Sequence, residues 1–348
     1  MSTTAHAVLP CDELDPTVAF FTELGFRVDA VFPADDPAVT RLSGHGLGIE
    51  LRRGPGDPGR LRVCLDGVDE VAEQVAPNGT VVELAPLLAP LHVPHLRSDL
   101  VVTHAADGAS WVVGRAGMRY RDLLPGRLGG RFIASHIHLP DGGPVPDYVH
   151  YHHIRFQMIF VARGWVRLVY EDQGEPFVLQ AGDCVLQPPL IRHRVLESSP
   201  HLEVIEIGCP AEHETLVEHE FDLPTPVIRR DRDFSGQRFV RHTAATAPRM
   251  AWRGAGFRAR DTGIAAATDG LADARVVEGS AGARAVITHT GELWFAFVLD
   301  GAASLDVDGT RHDLVRDDAV SVPPGAAAEL SVGDHAEVLV VSLPVDQH

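Results

Sequence analysis

From about residue 111 to the C-terminus, apolar and polar positions alternate in short runs broken by Gly, Pro and Asp, as in WVRLVYED, EPFVLQAGDCVLQPP and ASLDVDGTRHDLV. Successive side chains of a strand point to opposite sides, so this period of two marks strands with one buried face. No long run with a 3.6-residue apolar repeat interrupts them. The stretch therefore predicts many short strands at regular spacing, packed as an antiparallel sandwich or barrel. The first 70 residues read differently. His6–Pro10 is a short apolar strand, and Asp15-Pro16 then opens a helix, with Asp15 as N-cap and Pro16 at the first helical position. Val18, Ala19, Phe20, Phe21 and Leu24 carry that helix to a stop at Gly25. Strands are expected over Phe26–Phe32, Thr40–Leu42, Gly48–Arg52 and Leu61–Leu65, giving a β-α-β-β-β order. Residues 71–110 contain the Pro-interrupted segment APLLAPLHVPHLRSD and read as a linker or covering segment.

Composition narrows the function classes. The 348 residues are 45% hydrophobic and 22% charged, an ordinary globular balance with room for two or three cores. The net charge is −18, and no basic face suited to a phosphate backbone is visible, which argues against nucleic acid and anionic membrane as partners. Every basic residue other than His is Arg; with no Lys, lysine Schiff-base chemistry, lysine-anchored pyridoxal phosphate and the phosphate-binding GxxxxGK[ST] loop are excluded. A GxSxG nucleophile elbow is also missing. No run of about 18 apolar residues suggests a membrane span. The first residues lack a basic region followed by an apolar run, and the four Cys (Cys11, Cys64, Cys184, Cys209) form no CxxC pair. The expectation is a cytoplasmic protein with reduced thiols. What the chain has in quantity is His, nineteen of them, and His is the commonest metal-ligating side chain.

The chemistry concentrates between residues 146 and 197. On a strand through PDYVHYHH, Tyr148, His150 and His152 share one face, and Tyr151 and His153 the other. Gln157 follows five residues after His152, and Gly164 seven after that; a second run holds Gly182, Pro188 and His193. Two imidazoles on one strand face and a third from a neighbouring strand offer a metal three neutral nitrogen donors, leaving positions open for water, substrate or dioxygen. Arg155, Arg192 and Arg194 lie close by in sequence, and a guanidinium in the pocket would pair an organic acid bidentately. On the preceding strand His136 and His138 share a face; inward they are acid/base or substrate contacts, outward they meet solvent. Glu197, Glu203 and Glu206 read as strand-exterior, or as groups behind the ligands, and Cys184 as an inert buried thiol.

These residues, taken in order, resemble the two motifs of the cupin superfamily, a jelly-roll β-barrel. The first motif, His-x-His, a Glu and a Gly, is met by His150, His152 and Gly164, with Gln157 in place of Glu. The second is met by Gly182, Pro188 and His193, with Leu190 where the family has Gly and Glu197 where it has Asn. The resemblance implies a metal site of His150, His152 and His193. Gln157 there is either a weak fourth ligand through its carbonyl oxygen or a hydrogen-bonding group beside a bound ligand. The texture repeats in HTGELWFAFVLDGAASLDVDG and DDAVSVPPGAAAEL, but Ile287, Trp294 and Ala328 replace ligands, leaving His289 alone. That half is expected to be a degenerate, metal-free cupin barrel, and the Arg-rich IRRDRDFSGQRFVRH before it a solvated linker or interface. The N-terminal phrase LDPTVAFFTELGFRVD resembles one module of the glyoxalase/bleomycin-resistance (vicinal oxygen chelate) superfamily, with His6 and Glu50 near its ligand positions. A single module supplies two ligands at most and reads as packing or dimerisation.

The expected fold is mainly β: two jelly-roll (cupin) β-barrels preceded by a small α/β (βαβββ) module. The expected divisions are 1–70 (module), 71–110 (linker), 111–222 (metal-binding barrel) and 223–348 (degenerate barrel). The resemblance implies a divalent metal ion, foremost Fe(II), with Mn, Ni, Zn and Cu open. It implies a dioxygenase acting on a small acidic, enolic or phenolic substrate. Arg155, Arg192 or Arg194 would hold that substrate, and Gln157, His136 and His138 would orient it or relay a proton. A non-redox isomerase, lyase or decarboxylase, and a small-ligand binding protein without turnover, remain alternatives. A homodimer is the default assembly.

Overall fold

The computed structural model describes residues 4–108, 111–114 and 117–344. The chain divides into two compact units, Met1–Pro90 and Leu91–His348. In the first, strand β1 (Ala7–Cys11), helix α1 (Leu14–Glu23), β2 (Arg27–Phe32), β3 (Val39–Gly44) and β4 (Leu47–Arg53) follow the expected order. The sheet order is β1-β4-β3-β2, with β1 parallel to β4. The helix starts two residues earlier than expected, with Glu13 as N-cap, so Asp15 and Pro16 sit within the first turn. There the absent proline N–H costs nothing, because the first turn's donors have no intrahelical acceptor. The stop is at Gly25, φ +94°, where the amides of Gly25 and Phe26 return to the carbonyls of Thr22 (3.0 Å) and Phe21 (3.0 Å). The Phe21 and Phe26 rings close the turn edge to face at 5.6 Å.

The stretch 71–110 is not one linker. Strands β5 (Arg60–Leu65), β6 (Ala72–Val75) and β7 (Val81–Pro86) form a second small sheet of this unit, in the order β5-β7-β6. The fully buried Val82 joins Phe21, Leu42 and Ile49 in one core. Alternation in β6 and β7 is masked by Pro and Gly on either side, so the sequence reads as loop. Glu50, which the resemblance puts near a ligand position, is claimed by arginines. Its carboxylate takes Arg41 at 2.8 Å and Arg52 at 2.5 Å, and among the described residues neither it nor His6 belongs to a cluster of three metal-donor side chains.

The second unit is two jelly-roll β-barrels. Its strands begin with β8 (Val101–Thr103), β9 (Val112–Val113), β10 (Arg119–Asp122), β11 (Ile133–Leu139), β12 (Gly143–Pro144) and β13 (His150–His153). They continue with β14 (Phe156–Arg163), β15 (Trp165–Tyr170), β16 (Phe177–Gln180), β17 (Cys184–Leu186), β18 (His193–Ser198), β19 (Leu202–Cys209) and β20 (Glu214–Val217). One sheet of the first barrel carries β17-β14-β19-β11-β10-β9 and the other β16-β15-β18-β13-β20. The second barrel is dominated by two long strands, Leu293–Val307 and Ala328–Leu343, paired antiparallel. The barrels trade edges: β8 pairs with Ala319–Ser321 of the second barrel, and Val240–His242 pairs with β17 of the first. Pairing covers edges that would otherwise stay open, and it moves the barrel limits away from 111–222 and 223–348. The Arg-rich connection is tied down as well, Arg229 to Asp172 (2.8 Å) and Arg232 to Glu171 (2.6 Å).

Alternation sorts the first barrel's side chains between two cores. Phe156, Phe160 and Ile205 point outward and meet Phe295, Phe297 and Leu339 of the second barrel in a shared core. Val166, Leu168 and Val204 point inward. The second barrel's interior is filled by Trp294, Leu305 and Val338. No helix among the described residues is long and apolar enough to cross a membrane.

Two outcomes follow. Phe297→Ala should cost about 3–5 kcal/mol, read by denaturant unfolding, because the shared core cannot collapse around the gap. In the first unit, the Arg41 and Arg52 hydrogen bonds hold the Glu50 carboxyl below the usual carboxylate range. A depressed folded-state value means stability that is present at neutral pH and lost as pH falls through that value. Amide protection factors in β3 and β4 should therefore fall on acidification more steeply in the wild type than in Glu50→Gln.

Candidate metal centre

His150 and His152 project from β13 into the first barrel, and Tyr151 projects outward, where it stacks under Arg192. His193 opens β18 directly opposite His150 in the antiparallel register. The ring centroids stand 4.2 Å apart for His150 and His193, 5.2 Å for His150 and His152, and 5.3 Å for His152 and His193. One nitrogen from each of the three falls within 4.8 Å of the others. Delivering His193 requires a turn in which Leu190 takes φ +63°, while its amide donates to the His152 carbonyl at 3.0 Å. That left-handed position is where the cupin motif has Gly.

Hydrogen bonds on the far side of each ring decide which nitrogen faces inward. Nδ1 of His150 lies 2.9 Å from the Tyr148 carbonyl, and Nδ1 of His193 lies 3.0 Å from the Ile191 carbonyl. A carbonyl only accepts, so both rings carry the proton on Nδ1 and turn the Nε2 lone pair toward the centre. Nδ1 of His152 meets the Thr215 hydroxyl at 2.9 Å. A second cluster of donors, His136, Glu203 and Asp317, is built the opposite way. There the Arg121 guanidinium donates to His136 Nδ1 at 3.0 Å. That fixes the proton on Nε2, 3.4 Å from the Glu203 carboxylate, so the ring offers no lone pair to an ion.

Around the triad runs a chain of amides. Tyr170, fully buried and stacked on His193 at 5.3 Å, donates its hydroxyl to Gln187 Oε1 at 3.1 Å. Burial pushes that phenol's pKa up. Gln187 Nε2 reaches His193 Nε2 at 3.0 Å and Gln157 Oε1 at 3.3 Å, and Gln157 Nε2 donates to Glu206 at 2.6 Å. The cavity these groups share is about 340 Å³, at the small end for a ligand pocket.

Several expectations are corrected. His136 and His138 do share a face, but it is the outer one: Ile133, Ile137 and Leu139 take the inward positions of β11, and His136 packs on Phe297. His138 stacks on His201, and burial lowers its pKa. Arg155, Arg192 and Arg194 do not line the cavity. Arg155 binds Glu292 at 2.8 Å, Arg192 binds Glu218 at 3.2 Å, and Arg194 alternates with the inward His193 and Val195 and is exposed. Tyr148 precedes β13 and is 51% exposed, contributing its carbonyl rather than its ring. Glu206 faces inward; Glu203 and Glu197 do not, pairing with Arg163 and Arg167. Cys184 is buried and its thiol pKa is pushed up.

No family model matches the chain, and no curated protein does. Solved structures do. The salicylate 1,2-dioxygenase of Pseudaminobacter salicylatoxidans superposes with a TM-score of 0.54 at 19% identity, over 73% of this chain and 86% of that one. An oxalate decarboxylase of Bacillus subtilis gives 0.53 at 12%, over 74% and 80%. Protein YlbA of Escherichia coli gives 0.51 at 12%, over 74% and 97%. The fold is the bicupin fold.

Within the bicupin pair the two barrels differ in what fills them. In the second, Trp294 takes the place of Gln157 and is buried in a packed interior, while His289 Nε2 meets the Val322 carbonyl at 2.8 Å. In the first, Gln187, His213 and Thr215 belong to the cavity wall and were not singled out in the sequence, and Glu206 joins them there. Alternation from His193 and Leu202 could have placed Val195, Val204 and Glu206 together; nothing local marks Gln187 or His213. Long-range ¹H–¹⁵N spectra of the imidazoles in metal-free protein should show the Nδ1–H tautomer for His150 and His193 and the Nε2–H tautomer for His136. The same tautomer at all three would contradict the hydrogen-bond assignment.

Proposed function

We propose that the first barrel holds a divalent metal on His150, His152 and His193 and that the protein is a metal-dependent enzyme acting on a small molecule, foremost an Fe(II) dioxygenase. The observation that carries this reading is the convergence of three nitrogens within 4.8 Å, two of them in rings whose Nδ1 is committed to a carbonyl. Two buried imidazoles and one at the cavity's edge fit a divalent ion of borderline softness. Three neutral donors leave both positive charges uncompensated. When bound, the ion supplies a Lewis acid with open positions for a substrate oxygen and dioxygen.

The remaining work falls to the chain's own side chains. Thr215 and the two backbone carbonyls orient the rings. Tyr170 fixes Gln187, and Gln187 fixes the carbonyl end of Gln157 toward the triad. Gln157, in place of an anionic Glu, is a neutral group that hydrogen-bonds a bound ligand or offers it a weak oxygen donor. The apolar walls exclude water from the reacting end. A second reading, non-redox isomerase, lyase or decarboxylase chemistry, draws support from Glu206, a carboxylate on the cavity wall placed to accept a proton. The placement of Arg155, Arg192 and Arg194 removes one support for an organic-acid substrate; the uncompensated charge of an ion on three neutral rings is the support that remains.

Metal analysis of protein purified with and without air should find about one divalent ion per chain, lost in His152→Ala. Equal metal in that variant would sink the site. Thr215→Val should weaken metal binding about tenfold with little change in unfolding midpoint. An oxygen electrode with a panel of phenols, diketones and aromatic acids separates the readings: oxygen uptake on turnover supports the dioxygenase, and turnover without it supports the non-redox enzyme.

A further inference from the structure

The cavity's wall chemistry bears on what it admits. Its sides are apolar, with Ile137, Leu139, Ile159, Val195 and Val204 among them. Among the described residues that line it, none is Arg, and the chain has no Lys. The charged side chain it does present is Glu206, whose carboxylate is held by the Gln157 amide at 2.6 Å. Arginines near in sequence are committed elsewhere: Arg155 to Glu292, and Arg192 to Glu171 and Glu218. A carboxylate ligand entering this space would give up water for hydrocarbon. In the metal-free cavity it would meet a like charge and find no guanidinium to receive it, and each of these opposes its binding. An uncharged molecule suffers none of these penalties and gains from apolar burial.

We infer that the cavity takes an uncharged, largely apolar small molecule carrying one or two oxygen donors at one end, such as an enol, phenol or amide, and that Glu206 turns carboxylates away. The inference rests on the proposed metal site for which end of the molecule leads, and the charge of an ion there would act against the exclusion of carboxylates, so the metal-free protein decides it. The preference itself belongs to the walls and Glu206. The volume of about 340 Å³ fits a single substituted ring or a short branched chain.

Salicylamide and salicylate test this, since they share ring, size and oxygen pair and differ in charge. Each is titrated by calorimetry or NMR into wild type and Glu206→Gln, in metal-free and zinc-loaded protein, with zinc content measured alongside. In metal-free wild type, salicylamide should bind at least tenfold more tightly than salicylate. Glu206→Gln should raise salicylate affinity about tenfold in both forms and move salicylamide less than threefold. Salicylate binding metal-free wild type as tightly as salicylamide overturns the inference, as does a salicylate affinity indifferent to Glu206→Gln, or binding of neither probe to either form. The wild-type ranking needs no variant, so a misfolded Glu206→Gln protein does not remove the test. If the protein takes up no zinc, the metal reading fails on its own, while the ranking in metal-free protein still decides this one.

Discussion

Two backbone carbonyls, those of Tyr148 and Ile191, hold the chemistry of the first barrel in place. Each accepts from an imidazole Nδ1 at about 3 Å, and so dictates the tautomer of His150 and His193. An imidazole can present a lone pair or a proton on Nε2, and only the first suits a cation. The His136 cluster makes the point by contrast: similar donors at similar separation, with a guanidinium where the carbonyl would be, turn a proton in place of a lone pair toward the carboxylates. Proximity of histidines is thus insufficient, and what lies behind the ring decides.

The second constraint is the shared core between the barrels. Because Phe156, Phe160 and Ile205 must meet Phe295, Phe297 and Leu339, the outer face of the first barrel's larger sheet is as apolar as its inner face. The same burial fixes β14 and β19 rigidly, and these strands present Gln157 and Glu206 side by side in the barrel. A packed second barrel, filled by Trp294, serves as the platform against which the first keeps a cavity open. Edge strands exchanged between the halves lock the two together.

How much of this was legible varied with the range of the interaction. Period-two alternation put His150 and His152 on one face of β13, the resemblance to the cupin motifs added His193, and the same alternation paired His136 with His138. It could not say which face was inward, since Ile137 and Phe297 bury both sides of β11. Glu206 was left between an exterior place and one behind the ligands for the same reason: in LEVIEIG both faces are apolar, and only its pairing with Gln157 decides. Arg155 and Arg192 were misplaced because closeness in sequence to Gln157 or His193 says nothing about the partner, Glu292 or Glu171, that claims each guanidinium.

The chain by itself determined the strand-rich architecture, the helix stop at Gly25, and the identity and spacing of the three imidazoles, because all of these depend on periods and turns within a few residues. Only the tertiary structure decided which sheet face is the interior, which edges the barrels exchange, and which carboxylate reaches the cavity. It also decided that no arginine among the described residues does. Those outcomes depend on what lies across a sheet or behind a ring, contributed by segments as distant in sequence as Arg155 and Glu292, and local pattern carries no record of that.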